Sequence, residues 1–356
     1  MSTQVQARII FCSVIPFAVA CGSESNVNVT PIDAAGFTDA NSTDAAPQAA
    51  CVFTNVDTPV GLTLTSVWGA SENDVWIGTT GRSLIFNSVL LRFNGTAFTQ
   101  INSTTFDDIL DISGTAADDV WIAATLSDSS HQTLLHWDGA ALVTATVPAP
   151  TTLRASFRAL WPRTRSDVWL VGDSTLLRFD GTAWTKPPTF SGQSFDNFRA
   201  TVVAGSSDNE VLVGGLQNDG LRWDGASIKS ASMPVFNALK RGSVGPYWAI
   251  IDTSLVNRAL VSSTDGVTWT EVRTFTRGAE PLPISLAVDA NGDPWIGTSR
   301  FATPNGNNGP FAEHLVNGTW QKSALPELDA VRDIAVAGRS VWAVGGFGKA
   351  SRCLLP

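Results

Sequence analysis

Short apolar runs alternate with polar turn residues along most of this chain, and the pattern repeats. In residues 166–186, apolar runs at 168–171 and 176–179 are followed by the pair Asp180-Gly181 and a third run that ends at Trp184. Short apolar runs bounded by turn residues are typical of β-strands, and an Asp-Gly pair between two of them predicts a hairpin with a type I′ turn. The unit therefore predicts most of one propeller blade.

Copies of this unit recur with spacings from 36 residues (212 to 248) to 48 residues (121 to 169), the period of a four-stranded propeller blade. One large apolar residue marks the second strand of each copy: Trp76, Trp121, Trp169, Leu212, Trp248, Trp295 and Trp342. Its regular position favours packing between blades over stacking on sugar rings. The pattern predicts an all-β fold, a single seven-bladed β-propeller over residues 51–356.

The ends of the predicted propeller complement each other. The seventh copy stops at residues 351–356 before its fourth strand, and residues 51–56 resemble the fourth strand at 96–101. An N-terminal strand that completes the last blade closes the ring and removes exposed strand edges. The alignment places Cys51 and Cys353 beside the same hairpin turn, which predicts a disulfide between them in an oxidising compartment.

The first 50 residues carry targeting information. An apolar run at 9–20 is too short to span a bilayer, and it ends in Ala18-Val19-Ala20-Cys21, which resembles the bacterial lipobox. The resemblance implies a lipoprotein signal peptide at 1–21, lipid attachment at Cys21, and an outer-membrane lipoprotein of the bacterial envelope. An ordinary secretory signal cut near Ala20 is the alternative. Residues 22–50, rich in Ser, Thr, Asn, Asp and Ala, predict a disordered tether.

Composition and motifs argue against several functions. A net charge of -9, from 23 basic and 32 acidic residues, gives no footprint for nucleic acid and leaves the lipid anchor as the only predicted membrane contact. The three histidines are scattered, and no hydrolase, metal-cluster or phosphate-loop motif occurs. We therefore predict no catalytic residues and no cofactor, and the sequence favours a binding protein over an enzyme without deciding between them. Calcium is the one metal suggested, by Asp289, Asn291 and Asp293, although Asp and Asn also cap tight turns.

The repeated Asp-Val-Trp-Ile/Leu-x-Gly, followed by Arg-Phe/Trp-Asp-Gly-x-x-Trp, resembles repeat lipoproteins of large-genome soil bacteria. It also resembles Asp-box (BNR) and two-component-regulator propeller repeats, through residues 263–269 and 289–297 respectively. The resemblance implies a propeller fold. It does not supply the arginine triad or the Tyr nucleophile of Asp-box sialidases.

The long loops of such a propeller share one face, where binding residues usually lie. Arg and aromatic residues in these loops are candidates for ligand binding: Arg154, Arg158, Arg199, Arg300, Phe301, Arg332 and Phe347. They suit a carbohydrate or an envelope protein, and the alternative is that they only solubilise an acidic surface. Other functions considered are an envelope-assembly scaffold lipoprotein and an Asp-box-like glycoside hydrolase or lyase, which would need acidic residues converging near the central channel.

Overall fold

The computed structural model describes residues 51–355 apart from 82–86, 127–131, 149–155, 190–197, 216–218, 255–256, 300, 304–305 and 326. The predicted signal peptide and tether, with Cys21, lie outside these residues. Every regular element in the described part is a β-strand. No helix of the described residues is long and apolar enough to cross a membrane.

Four four-stranded blades follow one another between Ala159 and Ala324. Blade I contains β9 (Ala159–Thr164), β10 (Asp167–Gly172), β11 (Thr175–Phe179) and β12 (Trp184–Thr185). Blade II contains β13 (Ala200–Ser207), β14 (Glu210–Gly215), β15 (Asp219–Trp223) and β16 (Ile228–Ser232). Blade III contains β17 (Phe236–Arg241), β18 (Tyr247–Asp252), β19 (Asn257–Ser263) and β20 (Thr270–Thr276). Blade IV contains β21 (Pro283–Val288), β22 (Pro294–Thr298), β25 (Phe311–Val316) and β26 (Thr319–Ala324), and a two-stranded hairpin, β23 (Phe301–Thr303) and β24 (Gly306–Asn308), is inserted in it.

The fifth blade is built from both ends of the described chain. Blade V contains β27 (Asp333–Ala337), β28 (Ser340–Val344) and β29 (Lys349–Leu354), and its outer strand is β1 (Thr54–Asp57). Thr54 lies opposite Arg352 in this antiparallel pair, which confirms closure by an N-terminal strand. Cys51 and Cys353 form the predicted disulfide, with their Cα atoms 5.9 Å apart.

The first two copies of the repeat form one sheet. Its seven strands are β2 (Thr63–Ser71), β3 (Asp74–Thr80), β4 (Ser88–Phe93), β5 (Phe98–Ala116), β6 (Asp119–Leu126), β7 (Gln132–Trp137) and β8 (Leu142–Thr144). The beginning of β5 pairs with β4 and its later part pairs with β6. The prediction of seven separate blades is therefore wrong, because the structure has five four-stranded blades and this seven-stranded sheet.

The chain between the first two copies explains the fused sheet. Residues 102–105, Asn-Ser-Thr-Thr, contain neither Pro nor Gly, whereas every later connection between copies contains at least one Pro. Proline lacks the N–H that a strand ladder needs, so it interrupts a strand that would otherwise continue. Without it, the fourth strand of the first copy runs on as the first strand of the second.

The repeated Trp residues pack between neighbouring copies, as predicted. All seven residues at the repeat position are at least nine-tenths buried. Trp76 lies 5.6 Å from Trp137 of the next copy, ring centre to ring centre, and Trp169 lies 5.6 Å from Trp223 in the same way. The innermost strands contact one another in order around a central channel: β2, β5, β9, β13, β17, β21, β27 and again β2.

The Asp-Gly turns differ from the predicted type I′ geometry. That type needs positive φ at both central residues, but at Asp180-Gly181 only the glycine has positive φ, of 94°. The turn closes instead through Asp180 N–H donating to Ala183 O at 3.2 Å, while Asp180 Oδ1 accepts the N–H groups of Thr182 and Ala183 at 2.9 Å. The Thr182 hydroxyl also donates to Asp180 Oδ1, at 2.6 Å. This bond, followed by the two backbone bonds to Oδ1, lowers the pKa of Asp180 to about 2. Asn317-Gly318 does have positive φ at both residues, 50° and 75°.

Candidate functional site

The two faces of the propeller differ in their connections. The turns between first and second strands and between third and fourth strands lie on one side, here called the turn face. The connections between second and third strands and between successive copies lie on the other side, here called the loop face. Side chains on the loop face can vary without disturbing the sheets, so it is the favoured place for binding.

Two of the predicted binding residues meet on the loop face. Arg158, just before β9, and Arg199, just before β13, both approach Asp173 in the connection between β10 and β11. Arg158 Nη2 lies 3.1 Å from Asp173 Oδ2, and Arg199 Nε lies 3.6 Å from Asp173 Oδ1. Both arginine side chains are about half exposed, at 47% and 53%, and that of Asp173 is 17% exposed. One carboxylate is therefore shared by two guanidinium groups, which leaves a net charge of +1 facing solvent.

The backbone explains why the two arginines converge. Arg158 N–H donates to Val171 O and Ser156 N–H donates to Asp173 O, both at 2.8 Å. On the other side, Asp173 and Arg199 form an isolated β-bridge, and Ser174 N–H donates to Phe198 O at 2.8 Å. The connection after β10 is thus clamped between the chain segments that carry both arginines.

The other predicted residues are spread around the loop face. Arg332 is exposed and lies just before β27, where its N–H donates 2.7 Å to Val344 O. Phe347, in the connection between β28 and β29, is 75% exposed and has a φ of 57°. Phe301 begins strand β23 of the inserted hairpin, opposite Asn308. Arg154 and Arg300 lie outside the described residues. The described contacts join only Arg158 and Arg199 into one cluster.

Two carboxylates lie on the innermost strands, where a hydrolytic site would be expected. Burial raises the pKa of Asp111, on β5, to about 6, against the opposing effect of Lys240. Burial also raises the pKa of Asp333, on β27. The Asp333 charge adds to the pKa rise at Asp111.

Hydrogen bonding indicates a structural role for these two carboxylates. Asp111 Oδ2 accepts the N–H of Leu160 at 2.6 Å, and Asp333 Oδ2 accepts the N–H of Val67 at 2.9 Å. Each remaining Oδ1 accepts the N–H of the next residue in its own strand, at 3.0 Å for Asp111 and 2.9 Å for Asp333. All four carboxylate oxygens therefore accept hydrogen bonds from backbone N–H groups. The bonds from Leu160 and Val67 link neighbouring copies of the repeat. This use of both oxygens disfavours proton transfer to a substrate.

The turn face carries a repeated contact between an acidic and a basic side chain that sequence reasoning missed. The acidic residue two positions before the repeat Trp contacts a basic residue of the third strand, and that base lies over the Trp ring. Arg92 donates to Asp74 through two nitrogens, at 2.7 and 2.9 Å, and its guanidinium carbon lies 4.9 Å from the Trp76 ring centre. The same acid–base contact joins Asp119 with His136 at 2.7 Å and Asp167 with Arg178 at 2.7 Å. Glu210 and Arg222 also pair, at 2.8 Å, in the copy whose repeat residue is Leu212 in place of Trp. The signal was present in the sequence, because the acid and the base recur together in each of these copies.

Blade IV departs from this pairing. Its third strand carries His314, which stacks on Trp295 with ring centres 4.1 Å apart and planes 14° apart. His314 Nε2 lies 3.2 Å from Asp289 Oδ2, and Asp293 occupies the acidic position two residues before Trp295. Burial lowers the pKa of His314, while burial and then the Asp289 charge raise the pKa of Asp293. Within the described residues this is the one group of three such side chains whose ligand atoms could surround a metal ion.

The fold and these contacts define the protein as a β-propeller. Comparison with solved structures supports this class. YCF48 bound to D1 peptide superposes with a TM-score of 0.60, at 13% identity over 85% of this chain and 97% of that one. The extracellular domain of the hybrid two-component system BT4673 from B. thetaiotaomicron gives 0.60, at 16% identity over 85% of this chain and 39% of that one. The WD40 propeller domain of Doa1 superposes with a TM-score of 0.57, at 11% identity over 87% of this chain and 97% of that one.

Comparisons of sequence give no closer relationship. No protein-family model matches the chain, and no curated protein matches it. At identities this low the structural likeness establishes the fold and leaves function to the site.

The Asp265 carboxylate in the Asp-box-like turn accepts the N–H groups of Val267 and Thr268, both at 2.8 Å, so its described contacts are those of a turn cap.

Proposed function

We propose that this protein is an exported, envelope-tethered binding module that takes an acidic segment of an envelope protein on its loop face. The Arg158, Asp173 and Arg199 cluster carries the proposal. Two half-exposed guanidinium groups held by one carboxylate present planar donors to further carboxylates, the geometry that arginine offers to anionic ligands. The chain as a whole has a charge of -9, so most of its surface repels an acidic partner. A cationic cluster on the loop face would therefore direct an acidic partner to that face.

Two further observations support a protein ligand. A propeller of similar fold, YCF48, is known in complex with a peptide. The loop face also carries the β23–β24 hairpin, which extends from blade IV as a separate two-stranded sheet and adds surface for a partner. An acidic polysaccharide offers the same carboxylate chemistry to the arginines, so the experiment includes it as a separate ligand.

The test measures binding of the full chain to a poly-glutamate peptide, to polygalacturonate and to neutral dextran as a function of salt. The double variant Arg158→Ala with Arg199→Ala should weaken binding of the peptide at least about tenfold, since charge-assisted hydrogen bonds contribute about 1.5–3 kcal/mol each. Arg165→Ala is the matched control: Arg165 is 56% exposed and pairs with Asp118, but it lies on the turn face. Equal losses in both variants would contradict a loop-face site, and binding of polygalacturonate alone would replace the protein ligand by a carbohydrate.

The proposed function includes a membrane tether. The disulfide between Cys51 and Cys353 is typical of exported proteins. Lipid attachment at Cys21 and an outer-membrane location remain part of the proposal. A Cys21→Ser variant should move the protein from the membrane fraction to the soluble fraction of the envelope. A stable envelope complex that survives loss of both arginines would favour the scaffold function over ligand binding.

A further inference from the structure

The turn face of blade IV has a different charge balance from the corresponding part of other copies. In the first copy, one carboxylate, that of Asp74, faces one guanidinium, that of Arg92. In blade IV the third-strand base is His314, and a second carboxylate, that of Asp289, is added to that of Asp293. An arginine has thus been exchanged for an imidazole at the same place where one negative charge has been gained.

These three side chains lie within ligand distance of one another. One ligand atom from each of Asp289, Asp293 and His314 lies within 4.8 Å of the other two. A zinc ion with bonds of 2.0–2.2 Å in tetrahedral geometry holds its ligand atoms about 3.4 Å apart. The 3.2 Å between His314 Nε2 and Asp289 Oδ2 already has this spacing. Asp293 is only partly buried, so its side chain can rotate to complete the set.

The surrounding contacts hold two of the ligands in place. Asp289 Oδ1 accepts the N–H groups of Asn291 and Asp293, at 2.9 and 3.0 Å, which fixes the carboxylate and leaves Oδ2 for a metal. The stack on Trp295 fixes the imidazole plane of His314. Asp289 and His314 are 5% and 6% exposed, so both would be shielded from competing water. A ligand set that is oriented before the metal arrives binds it more tightly.

We propose that Asp289, Asp293 and His314 bind a divalent transition-metal ion of the zinc class, with one nitrogen ligand, two carboxylate oxygens and a solvent molecule in the fourth position. Calcium, which the Asp289, Asn291 and Asp293 pattern suggested, fits this set less well. Calcium takes six to eight oxygen ligands, whereas imidazole is a ligand for zinc and related ions. The described contact of Asn291 with this turn is through its backbone N–H. The site lies on the turn face, so it is independent of the proposed loop-face function.

The test uses the full chain, stripped with a chelator and titrated with Zn²⁺ in a calorimeter. We expect one ion per chain at the site, with Co²⁺ at the same site giving the visible absorption of a tetrahedral complex. His314→Arg restores the arginine of the first copy and should reduce zinc affinity at least a hundredfold while leaving the circular dichroism spectrum unchanged. Asp293→Asn, which keeps the size of the side chain, should also reduce the affinity strongly.

The second copy supplies the matched control. His136 stacks on Trp121 with ring centres 4.1 Å apart and contacts Asp119, but among the described residues no second carboxylate brings a ligand atom within 4.8 Å of both. His136→Arg should therefore leave zinc binding unchanged. The proposal is overturned if the unaltered chain binds no zinc, if His314→Arg and Asp293→Asn bind it as the unaltered chain does, or if His136→Arg loses it equally.

Discussion

The disulfide between Cys51 and Cys353 closes the ring, and its removal gives a prediction of defined size. The crosslink joins residues separated by 302 positions, so it restricts nearly the whole folded domain when the chain unfolds. The loop-entropy relation assigns such a crosslink about 5 kcal/mol, through the lost freedom of the unfolded chain. With a urea dependence of about 3 kcal/mol/M for a domain of this size, the unfolding midpoint should fall by about 1.7 M on reduction.

The native structure should survive the loss. Strand β1 keeps its four paired positions with β29, and Thr58 Oγ1 still donates to Gly348 O at 2.7 Å. The reduced protein should therefore be folded under native conditions, with the effect confined to the urea midpoint. Opening of β1 at intermediate urea would expose the edge of β29, so the reduced form should aggregate more readily there.

The assay is urea unfolding followed by tryptophan fluorescence, with and without reductant, for the unaltered chain and for the double variant Cys51→Ser with Cys353→Ser. Reductant should shift the midpoint of the unaltered chain toward that of the double variant and should not shift the variant itself. Equal midpoints for the oxidised and reduced unaltered chain, once reduction is verified by thiol counting, would refute the argument that the crosslink limits the unfolded ensemble.

Three other substitutions, and one control substitution, test the packing of the ring. Burial raises the pKa of Asp111 from 3.8 to about 6, so the folded state binds this proton more tightly than the unfolded state does. The free energy of unfolding should therefore fall, by at most about 3 kcal/mol, as pH rises through about 6. Asp111→Ser should flatten this part of the pH profile measured by urea unfolding. The Asp167 carboxylate, 4% exposed, pairs with Arg163 and Arg178, and Arg178→Ala removes one of these partners. The free energy of unfolding should fall by about 1–3 kcal/mol. An unchanged free energy of unfolding would show that the Arg178–Asp167 pair contributes nothing net to stability. Gly172→Ala would place its Cβ 1.7 Å from Ser156 O and should lower the melting temperature by several degrees, whereas Gly61→Ala, with no atom within 4 Å of the added carbon, should leave it within a degree or two.

Much of the architecture follows from local patterns in the sequence. The large apolar residue at the repeat position of each copy, Trp in all but one, predicted burial between blades, and the contact of Trp76 with Trp137 confirms it. The missing last strand and the two cysteines predicted closure, which the pair of β1 with β29 confirms. These predictions succeeded because strand periodicity, turn residues and repeat spacing are properties of neighbouring residues.

Other features depend on how distant residues meet, and the sequence alone left them open or gave the wrong answer. The Asp-Gly turns were assigned the wrong type because the Asp carboxylate, by binding two N–H groups beyond the glycine, makes a longer turn stable. The separation into seven blades failed because strand continuity between copies depends on whether a connection can keep hydrogen-bonding.

The sequence by itself determined the strand-forming repeat, the closure of the ring and its disulfide, since each is written in residue spacing. Only the tertiary structure decided that Arg158 and Arg199 share Asp173, that the Asp111 and Asp333 carboxylates bind backbone donors of neighbouring copies, and that Asp289 joins Asp293 and His314. The physical reason is that charge pairing, desolvation and metal ligation act over a few ångströms, and those distances arise only when strands far apart in the sequence pair within a blade or pack against the next copy.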